Sequence, residues 1–207
     1  TQCSAKSTGR ASNGDHKLEK GMSGDNLLRY VDRILFTEEQ IQARVEELGA
    51  AITKDYEKEN ADLLVVGILK GASVFMADLL KQIKLDVEID FMSVSSYGSN
   101  TVSSGDVRII KDLEQAIMGK NVLIVEDIVD TGYTLSYLVD NLLSRGAHSV
   151  KVACMLNKAE RRVTDIQGDY VGFDIPDEYV IGYGMDFNQK LRNLPFIGTL
   201  NPIYYRD

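Results

Sequence analysis

The chain has 207 residues, 44% of them hydrophobic, and a formal net charge of −8 at neutral pH. This size and composition predict one compact domain with a full core. The acidic balance argues against a generally basic face for nucleic acid, and no apolar run reaches the length that a membrane-spanning helix needs. The N-terminal residues lack the apolar core of a signal peptide. Because the two cysteines, Cys3 and Cys154, are not expected to form a disulfide, a reducing cytoplasm is the expected location.

The first 21 residues are predicted to lie outside the folded domain. Residues 1–21 are polar, rich in Ser, Gly and Lys, and lack periodicity, which is typical of a disordered tail. Because Met22 would make a natural start, they can also be interpreted as a remnant placed ahead of the protein. We therefore expect the domain to occupy residues 22–207. Cys3 lies in the tail and Cys154 in an apolar segment, so no disulfide between them is expected.

The folded part begins with a helix signal. Thr37 is followed three residues later by Gln40, a capping-box pattern, and apolar residues then recur at helical spacing, which predicts a helix through about Lys58. Apolar or alternating segments predict strands over 63–69, 87–91, 121–125 and 150–156. Helical patterns predict helices over 74–83 and 135–145, the second ended by Gly146. Alternating strands and helices predict an α/β domain with a parallel sheet at its core.

Polar residues stand where several of these strands end. Lys70, Glu126, Asp127 and Lys158 each come directly after an apolar segment or one residue beyond it. Ligands of α/β proteins bind beyond the carboxyl ends of the parallel strands. The sequence therefore predicts that these four side chains lie at the binding edge of the sheet.

The segment 122–135 carries the clearest chemical pattern. An apolar strand ends in Glu126 and Asp127, and a loop follows with a third acid, Asp130, two threonines and one glycine before a helix begins. Loop amides and a helix N-terminus bind phosphate, and carboxylates bind sugar hydroxyls or a divalent cation. The pattern predicts a sugar-phosphate site. A solvated strand end for the acid pair and a helix cap for Asp130 are the alternatives.

Two common nucleotide-binding motifs are missing from the sequence. The pattern G-x-x-x-x-G-K-[ST] does not occur, which excludes an ordinary P-loop. Gly182-Tyr183-Gly184 lacks the third glycine of a dinucleotide fingerprint, so we interpret it as a turn.

Five segments together resemble the type I phosphoribosyltransferases, and within that family the hypoxanthine-guanine enzymes. The acidic segment resembles the signature that binds phosphoribosyl pyrophosphate (PRPP). The similarity runs from about Leu28 to Leu200. All five segments have the family's order and a similar spacing, and the other four are Leu69-Lys70-Gly71, Ser96-Tyr97, Asn157-Lys158, and Asp177 to Asp186 continuing to Arg192. The resemblance implies a central parallel sheet flanked by helices, with a small hood from the C-terminal part. It implies transfer of 5-phosphoribosyl from PRPP to hypoxanthine or guanine, giving IMP or GMP and pyrophosphate.

The resemblance also implies how PRPP is held. The carboxylates of Glu126 and Asp127 would take the ribose hydroxyls, directly or through magnesium, and Asp130 would act as general acid/base at N7 of the purine. The residues implied to bind PRPP and its 5-phosphate are Glu126, Asp127, Asp130, Thr131, Gly132, Tyr133 and Thr134. Tyr133 is a bulky residue at a position where members vary, and its size is expected to affect the phosphate pocket or a neighbouring contact.

Pyrophosphate is implied to meet Lys70, Gly71 and Arg192, with surface positions for Lys70 and Arg192 as the alternative. In the family the peptide that matches the bond between Leu69 and Lys70 can be cis. Ser96 and Tyr97 lie in a long stretch, residues 95–106, that is rich in Gly, Ser and Thr. The resemblance favours a lid that closes over the reaction, and the alternative is a plain hairpin extension.

Base recognition is implied for the segments at 157–158 and 177–186. Lys158 would donate to the exocyclic 6-oxygen, Tyr179 would stack on the purine, and Val180 would offer backbone hydrogen bonds. A strand-core pair is the alternative for Tyr179 and Val180. Asp186 belongs to the same base-binding set and would ligate a second magnesium. The implied cofactor is Mg²⁺, and its implied ligands are Glu126, Asp127 and Asp186.

Two other functions remain as alternatives. The same fold can act on xanthine, as a broader 6-oxopurine enzyme, or can serve a regulator that senses PRPP and binds nucleic acid. The acidic charge and the presence of Lys158 favour the enzyme. We therefore expect small-molecule substrates (PRPP, hypoxanthine and guanine) and neither nucleic acid nor a membrane as partner. The resemblance further implies a homo-oligomer, either a dimer or a tetramer.

Overall fold

Two β-sheets and three α-helices make up the part of the chain that the computed structural model describes, residues 27–58, 62–96 and 107–205. The strands are β1 (Val31–Phe36), β2 (Leu63–Leu69), β3 (Val87–Ser96), β4 (Val107–Lys111), β5 (Asn121–Val129), β6 (Ser149–Asn157), β7 (Tyr170–Asp174), β8 (Val180–Ile181) and β9 (Ile197–Leu200). The helices are α1 (Glu38–Glu57), α2 (Ser73–Gln82) and α3 (Tyr133–Ser144). The predicted tail and the lid residue Tyr97 lie outside the described residues.

The larger sheet has the strand order β4-β3-β2-β5-β6-β7, and all neighbouring pairs are parallel except β3 and β4. Side chains of β2 alternate between its two faces. Val65 belongs to the cluster formed with α1 and α2, and Val66 to the cluster formed with α3. A strand covered by helices on both faces must be apolar at nearly every position. This is why continuous apolar runs identified β2, β5 and β6 in the sequence.

Local signals fix the helix ends. The side chain of Thr37 accepts from the amide of Gln40, and the side chain of Gln40 accepts from the amide of Thr37, so the predicted capping box is complete. Gly146 follows α3 with φ +86°, a left-handed conformation that glycine adopts without steric penalty. In the described ranges, no helix combines the length and the apolar character needed to cross a membrane.

The smaller sheet, β1-β9-β8, is antiparallel and forms the hood. It has its own apolar cluster, centred on Ile181, Leu191, Leu194 and Leu200. The resemblance implied a hood from the C-terminal part, and β8 and β9 come from there. The third strand is β1, which pairs Val31 with Leu200 from the other end of the chain. The hood is therefore closed by a strand that the sequence patterns did not indicate.

Candidate active site

The strand β5 extends past its neighbour β2. The pairing of β2 with β5 ends at Gly67↔Val125, whereas β5 and β6 remain paired to Val129↔Asn157. β5 therefore ends four residues later than the sequence predicted, because β6 supplies partners there. Glu126 and Asp127 lie inside this extension, on a strand whose other edge β2 no longer covers.

A cavity of about 140 Å³ follows the extension into the start of α3. Its lining residues are Glu126, Asp127, Ile128, Val129, Asp130, Thr131, Gly132, Thr134 and Leu135. The structure thus brings six of the seven predicted PRPP-binding residues together around one cavity. The seventh, Tyr133, has an exposed side chain and does not line it.

Gly132 is the N-cap residue that precedes α3, and it has a left-handed conformation, φ +88°. A Cβ atom built on this residue would lie 2.2 Å from the Thr164 hydroxyl and 2.7 Å from the Ile166 side chain, so only glycine fits. Gly132 has no side chain that could cap the helix, and no side-chain cap hydrogen bond forms there. No side chain at the N-cap therefore occupies the amides of the first turn of α3, which are donors suited to an anion.

The carboxyl groups of Glu126 and Asp127 lie in surroundings that disfavour their charged forms. Burial raises the pKa of Glu126 well above its ordinary value, and the like charge of Asp127 adds to the rise. Burial also raises the pKa of Asp127, opposed by the amide of Ile128, which donates to the carboxylate at 2.8 Å, and by the positive charge of Arg192. A cation or hydroxyl donors placed between these groups would offset the repulsion.

Magnesium fits this donor chemistry. Carboxylate oxygens suit Mg²⁺, which commonly takes one or two protein carboxylates and fills its remaining positions with water and substrate oxygens. Among the described residues no three acidic, histidine or cysteine side chains form one metal cluster. Glu126 and Asp127 are adjacent, but Asp186 forms an ion pair with Arg192 at 2.6 Å and accepts from the amide of Gln189. The positive charge of Arg192 therefore stabilises the charged forms of both Asp127 and Asp186.

The loop after β2 packs directly onto Asp127. The peptide between Leu69 and Lys70 is cis, and a Cβ atom built on Gly71 would lie 1.6 Å from Oδ2 of Asp127. From the other side, a Cβ atom on Gly184 would lie 2.0 Å from the carbonyl oxygen of Gly71. The exposed side chain of Lys70 donates to Gln189 at 3.0 Å. Nη1 of Arg192 donates to the carbonyl of Gly184 at 2.8 Å, so Lys70, Gly71 and Arg192 lie around one junction of loops.

The end of β6 adds a buried cation. Lys158 is 7% exposed, and its amide donates to the carbonyl of Val129 at 2.9 Å, which ties it to the end of β5. Its ammonium lies 3.4 Å from Oδ1 of Asp177. Oδ1 of Asp130 is inaccessible to solvent and accepts no hydrogen bond from the described residues, although Nε of Arg161 lies 3.1 Å away. Lys158 and Asp130 therefore frame the carboxyl ends of β5 and β6.

The hood supplies an aromatic face. Tyr179 is 41% exposed, and its ring lies 5.4 Å from that of Tyr205 and 6.0 Å from that of Phe187, centroid to centroid. Val180 is buried and pairs with Thr199 in the sheet. The strand-core alternative thus describes the side chain of Val180 but not the exposed ring of Tyr179.

Two arginines at this site had no role in the sequence prediction. Arg162 donates to the carbonyl of Asp130 at 2.9 Å and to the side chain of Asn157, so it braces the backbone of the phosphate loop. Arg161 contacts the side chains of Asp130 and Asp177. Their proximity to Lys158 in sequence was the available signal. Ser96 is the last residue of β3 and leads into the predicted lid, the rest of which lies outside the described residues.

A mostly parallel sheet with an acid pair, a glycine-containing loop and a helix start at one edge defines a nucleotide- or sugar-phosphate-binding α/β protein. The family model for the phosphoribosyl transferase domain matches residues 35–188. The chain therefore belongs to the phosphoribosyltransferase family, and its relatives place it among the hypoxanthine-guanine phosphoribosyltransferases. The predicted family and fold class are confirmed.

Three comparisons give the extent of that similarity. The chain is 50% identical to the hypoxanthine-guanine phosphoribosyltransferase of Bacillus subtilis, over 86% of this chain and 97% of the relative. It is also 50% identical to the bifunctional protein TilS/HprT of Listeria monocytogenes, but spans only 27% of that longer protein. A hypoxanthine phosphoribosyltransferase structure from Staphylococcus aureus matches with a TM-score of 0.83 at 49% identity, covering 86% of this chain and 96% of that chain.

Proposed function

We propose that this chain transfers the 5-phosphoribosyl group of PRPP to hypoxanthine or guanine, giving IMP or GMP and pyrophosphate. The observation that carries the proposal is the set of residues gathered at the carboxyl ends of β5 and β6 in the larger sheet. There the acid pair and the phosphate loop line one cavity, and the amide of the buried Lys158 donates to Val129, one of the lining residues. The exposed ring of Tyr179 lies on the hood, where its hydroxyl group donates to the carbonyl of Asp186. Sequence identity of about half to relatives named for this activity supports it.

The phosphate loop would hold the sugar. Amides at the start of α3 and the hydroxyls of Thr131 and Thr134 donate to the 5-phosphate, and Gly132 allows the close approach. Glu126 and Asp127 accept from the ribose hydroxyls. Lys70, the amide of Gly71, and Arg192 receive the departing pyrophosphate as it gains negative charge.

Magnesium belongs to the proposal as the cofactor, and its chemistry when bound is to offset the charge of the pyrophosphate. Glu126 and Asp127 would hold it, together with Asp186 on the side of Arg192. The raised pKa values of the acid pair support this choice, because a bound cation favours the ionised carboxylates.

Base recognition would divide between three residues. Lys158 donates to the 6-oxygen, Tyr179 stacks on the ring, and Val180 offers backbone groups at the edge of β8. Nitrogen N9 then attacks the ribose C1, and Asp130 takes the proton from N7. Ser96 and Tyr97 belong to the lid, residues 95–106, whose closure would exclude water from the developing ribosyl cation.

We take residues 22–207 as the catalytic domain and residues 1–21 as a tail, and we expect a cytoplasmic homo-oligomer that binds neither nucleic acid nor membrane. The net charge of −8 supports the absence of a nucleic-acid partner.

Product analysis tests the proposal. Wild-type protein is incubated with PRPP, Mg²⁺ and either hypoxanthine or guanine, and the nucleotide and pyrophosphate are quantified. One equivalent of IMP or GMP per pyrophosphate is expected. Xanthine in the same assay decides whether the specificity extends to other 6-oxopurines. If no base is converted while nucleic acid binds in a salt-dependent manner, the PRPP-sensing regulator replaces the enzyme.

A further inference from the structure

Four side chains of alternating charge form a continuous row beside the cavity. Nζ of Lys158 lies 3.4 Å from Oδ1 of Asp177, Nη1 of Arg161 lies 3.4 Å from the same oxygen, and Nε of Arg161 lies 3.1 Å from Oδ1 of Asp130. The two ends of this row are the residues that the proposed function assigns to the 6-oxygen and to N7. The two middle residues have no place in that assignment.

Arg161 is the group that meets the carboxylate of Asp130. Oδ1 of Asp130 is closed to solvent and no described residue hydrogen-bonds to it, so the ion pair with Arg161 is what offsets its charge. The neighbouring arginine has a different task, since Arg162 donates to the backbone carbonyl of Asp130. Arg162 therefore fixes the main chain of the loop, and Arg161 fixes the direction of the side chain.

Asp177 joins the two halves of the row. Lys158 is buried, and a buried ammonium needs an opposite charge. Asp177 supplies it with the same oxygen that contacts Arg161. A guanidinium suits the middle position because it offers separate nitrogens in a fixed plane, one to each carboxylate.

We infer that Arg161 is a positioning residue for Asp130. Asp177 holds Arg161 and Lys158 in fixed relative positions, so that Asp130 can accept from N7 and Lys158 can donate to the 6-oxygen of the same base. The inference rests on the proposed function. Because Arg161 pairs with Oδ1, the other carboxylate oxygen of Asp130 is left as the acceptor that an N7–H group requires. Proton transfer depends on this aim, whereas binding of PRPP does not.

A double-mutant cycle with Asp130 tests the role of Arg161. Arg161→Ala is expected to lower kcat about five- to tenfold with hypoxanthine, while KM for PRPP stays within about twofold. The Asp130→Asn variant has no carboxylate for Arg161 to orient, so the added Arg161→Ala change should lower kcat by less than about twofold. An equal loss in both backgrounds would overturn the inference, because Arg161 would then act without Asp130.

Two further variants sharpen the test. Arg161→Lys keeps a cation that can reach one carboxylate at a time, so it should recover part of the lost kcat; no recovery would contradict an ionic role. Glu160→Ala, an exposed residue of the same turn, is the matched control and should leave kcat and KM unchanged.

The role of Asp177 is tested by measuring KM for the purine base. Asp177→Asn is expected to raise KM for hypoxanthine about three- to tenfold and to leave KM for PRPP unchanged, because Lys158 loses its counter-charge. An unchanged KM for hypoxanthine would remove Asp177 from the inference. Failure of the proposed function is distinguishable, since it would show as absent turnover in the wild-type protein, whereas failure of this inference leaves wild-type turnover intact.

Discussion

Gly71 lies in the loop after β2 and Asp127 lies in β5, yet a Cβ atom on Gly71 would stand 1.6 Å from Oδ2 of Asp127. The loop that is proposed to receive pyrophosphate therefore rests against the carboxylate that is proposed to hold the ribose. This contact leaves room for no side chain, and it makes Gly71 a sensitive point of the site.

Gly71→Ala is expected to displace Asp127 and raise KM for PRPP about tenfold or more, with a loss of stability of about 1–3 kcal/mol. Steady-state kinetics and urea unfolding measure the two effects. Gly49→Ala is the matched control, because its Cβ atom would lie 2.3 Å from Cβ of Gln82, between α1 and α2. That variant should lose stability and keep its KM for PRPP; equal changes of KM in both variants would contradict the contact's role.

Asp130→Asn is expected to lower kcat about 10²-fold or more and to leave KM for PRPP nearly unchanged. Asparagine keeps the shape of the side chain but does not accept the N7 proton. Asp140→Asn, at an exposed position on α3, should behave as wild type. Undiminished turnover in Asp130→Asn would remove this residue from the chemistry.

Lys158→Gln is expected to lower kcat/KM for hypoxanthine about 10²-fold and to narrow the preference for hypoxanthine over adenine. An amide can present either a donor or an acceptor to the 6-position, whereas an ammonium only donates. The exposed Lys54→Gln on α1 serves as control. A preference that stays as large as in wild type would show that another group reads the 6-position.

Glu126→Gln is expected to stabilise the ligand-free protein at neutral pH. Burial and Asp127 raise the pKa of Glu126 in the folded state, so the folded protein binds this proton more tightly than the unfolded chain does. The stability that protonation provides is present below the unfolded value of about 4.3 and is lost as the pH rises through the raised folded pKa. The urea midpoints of the wild type and of Glu126→Gln should therefore coincide at pH 4, and the midpoint of Glu126→Gln should be the higher one at pH 7.5. A wild type that is the more stable one at pH 7.5 would contradict the buried repulsion.

Local patterns predicted what depends on neighbours in sequence. The capping box at Thr37, the helix end at Gly146 and the apolar strands that become β2 and β6 all follow from spacing and side-chain type. The four polar residues at strand ends met at one edge because parallel strands share their direction.

Pairing between distant segments could not be predicted in the same way. β1 joins the hood through partners about 170 positions away, and β5 continues to Val129 only because β6 accompanies it. The ion pairs of Arg161 depend on the short turn Ala159–Arg161, whose side-chain directions no periodic pattern encodes. The lid prediction falls outside the described residues beyond Ser96.

Lys158 and the phosphate loop are the features proposed to make this chain a transferase for 6-oxopurines. The most direct measurement is kcat/KM of the wild-type protein for hypoxanthine, guanine and adenine at saturating PRPP and Mg²⁺. We expect hypoxanthine and guanine both to be used, and adenine to be poorer by about 10³-fold or more, because an amino group at the 6-position would face the buried ammonium. Comparable efficiencies for adenine and hypoxanthine would contradict it.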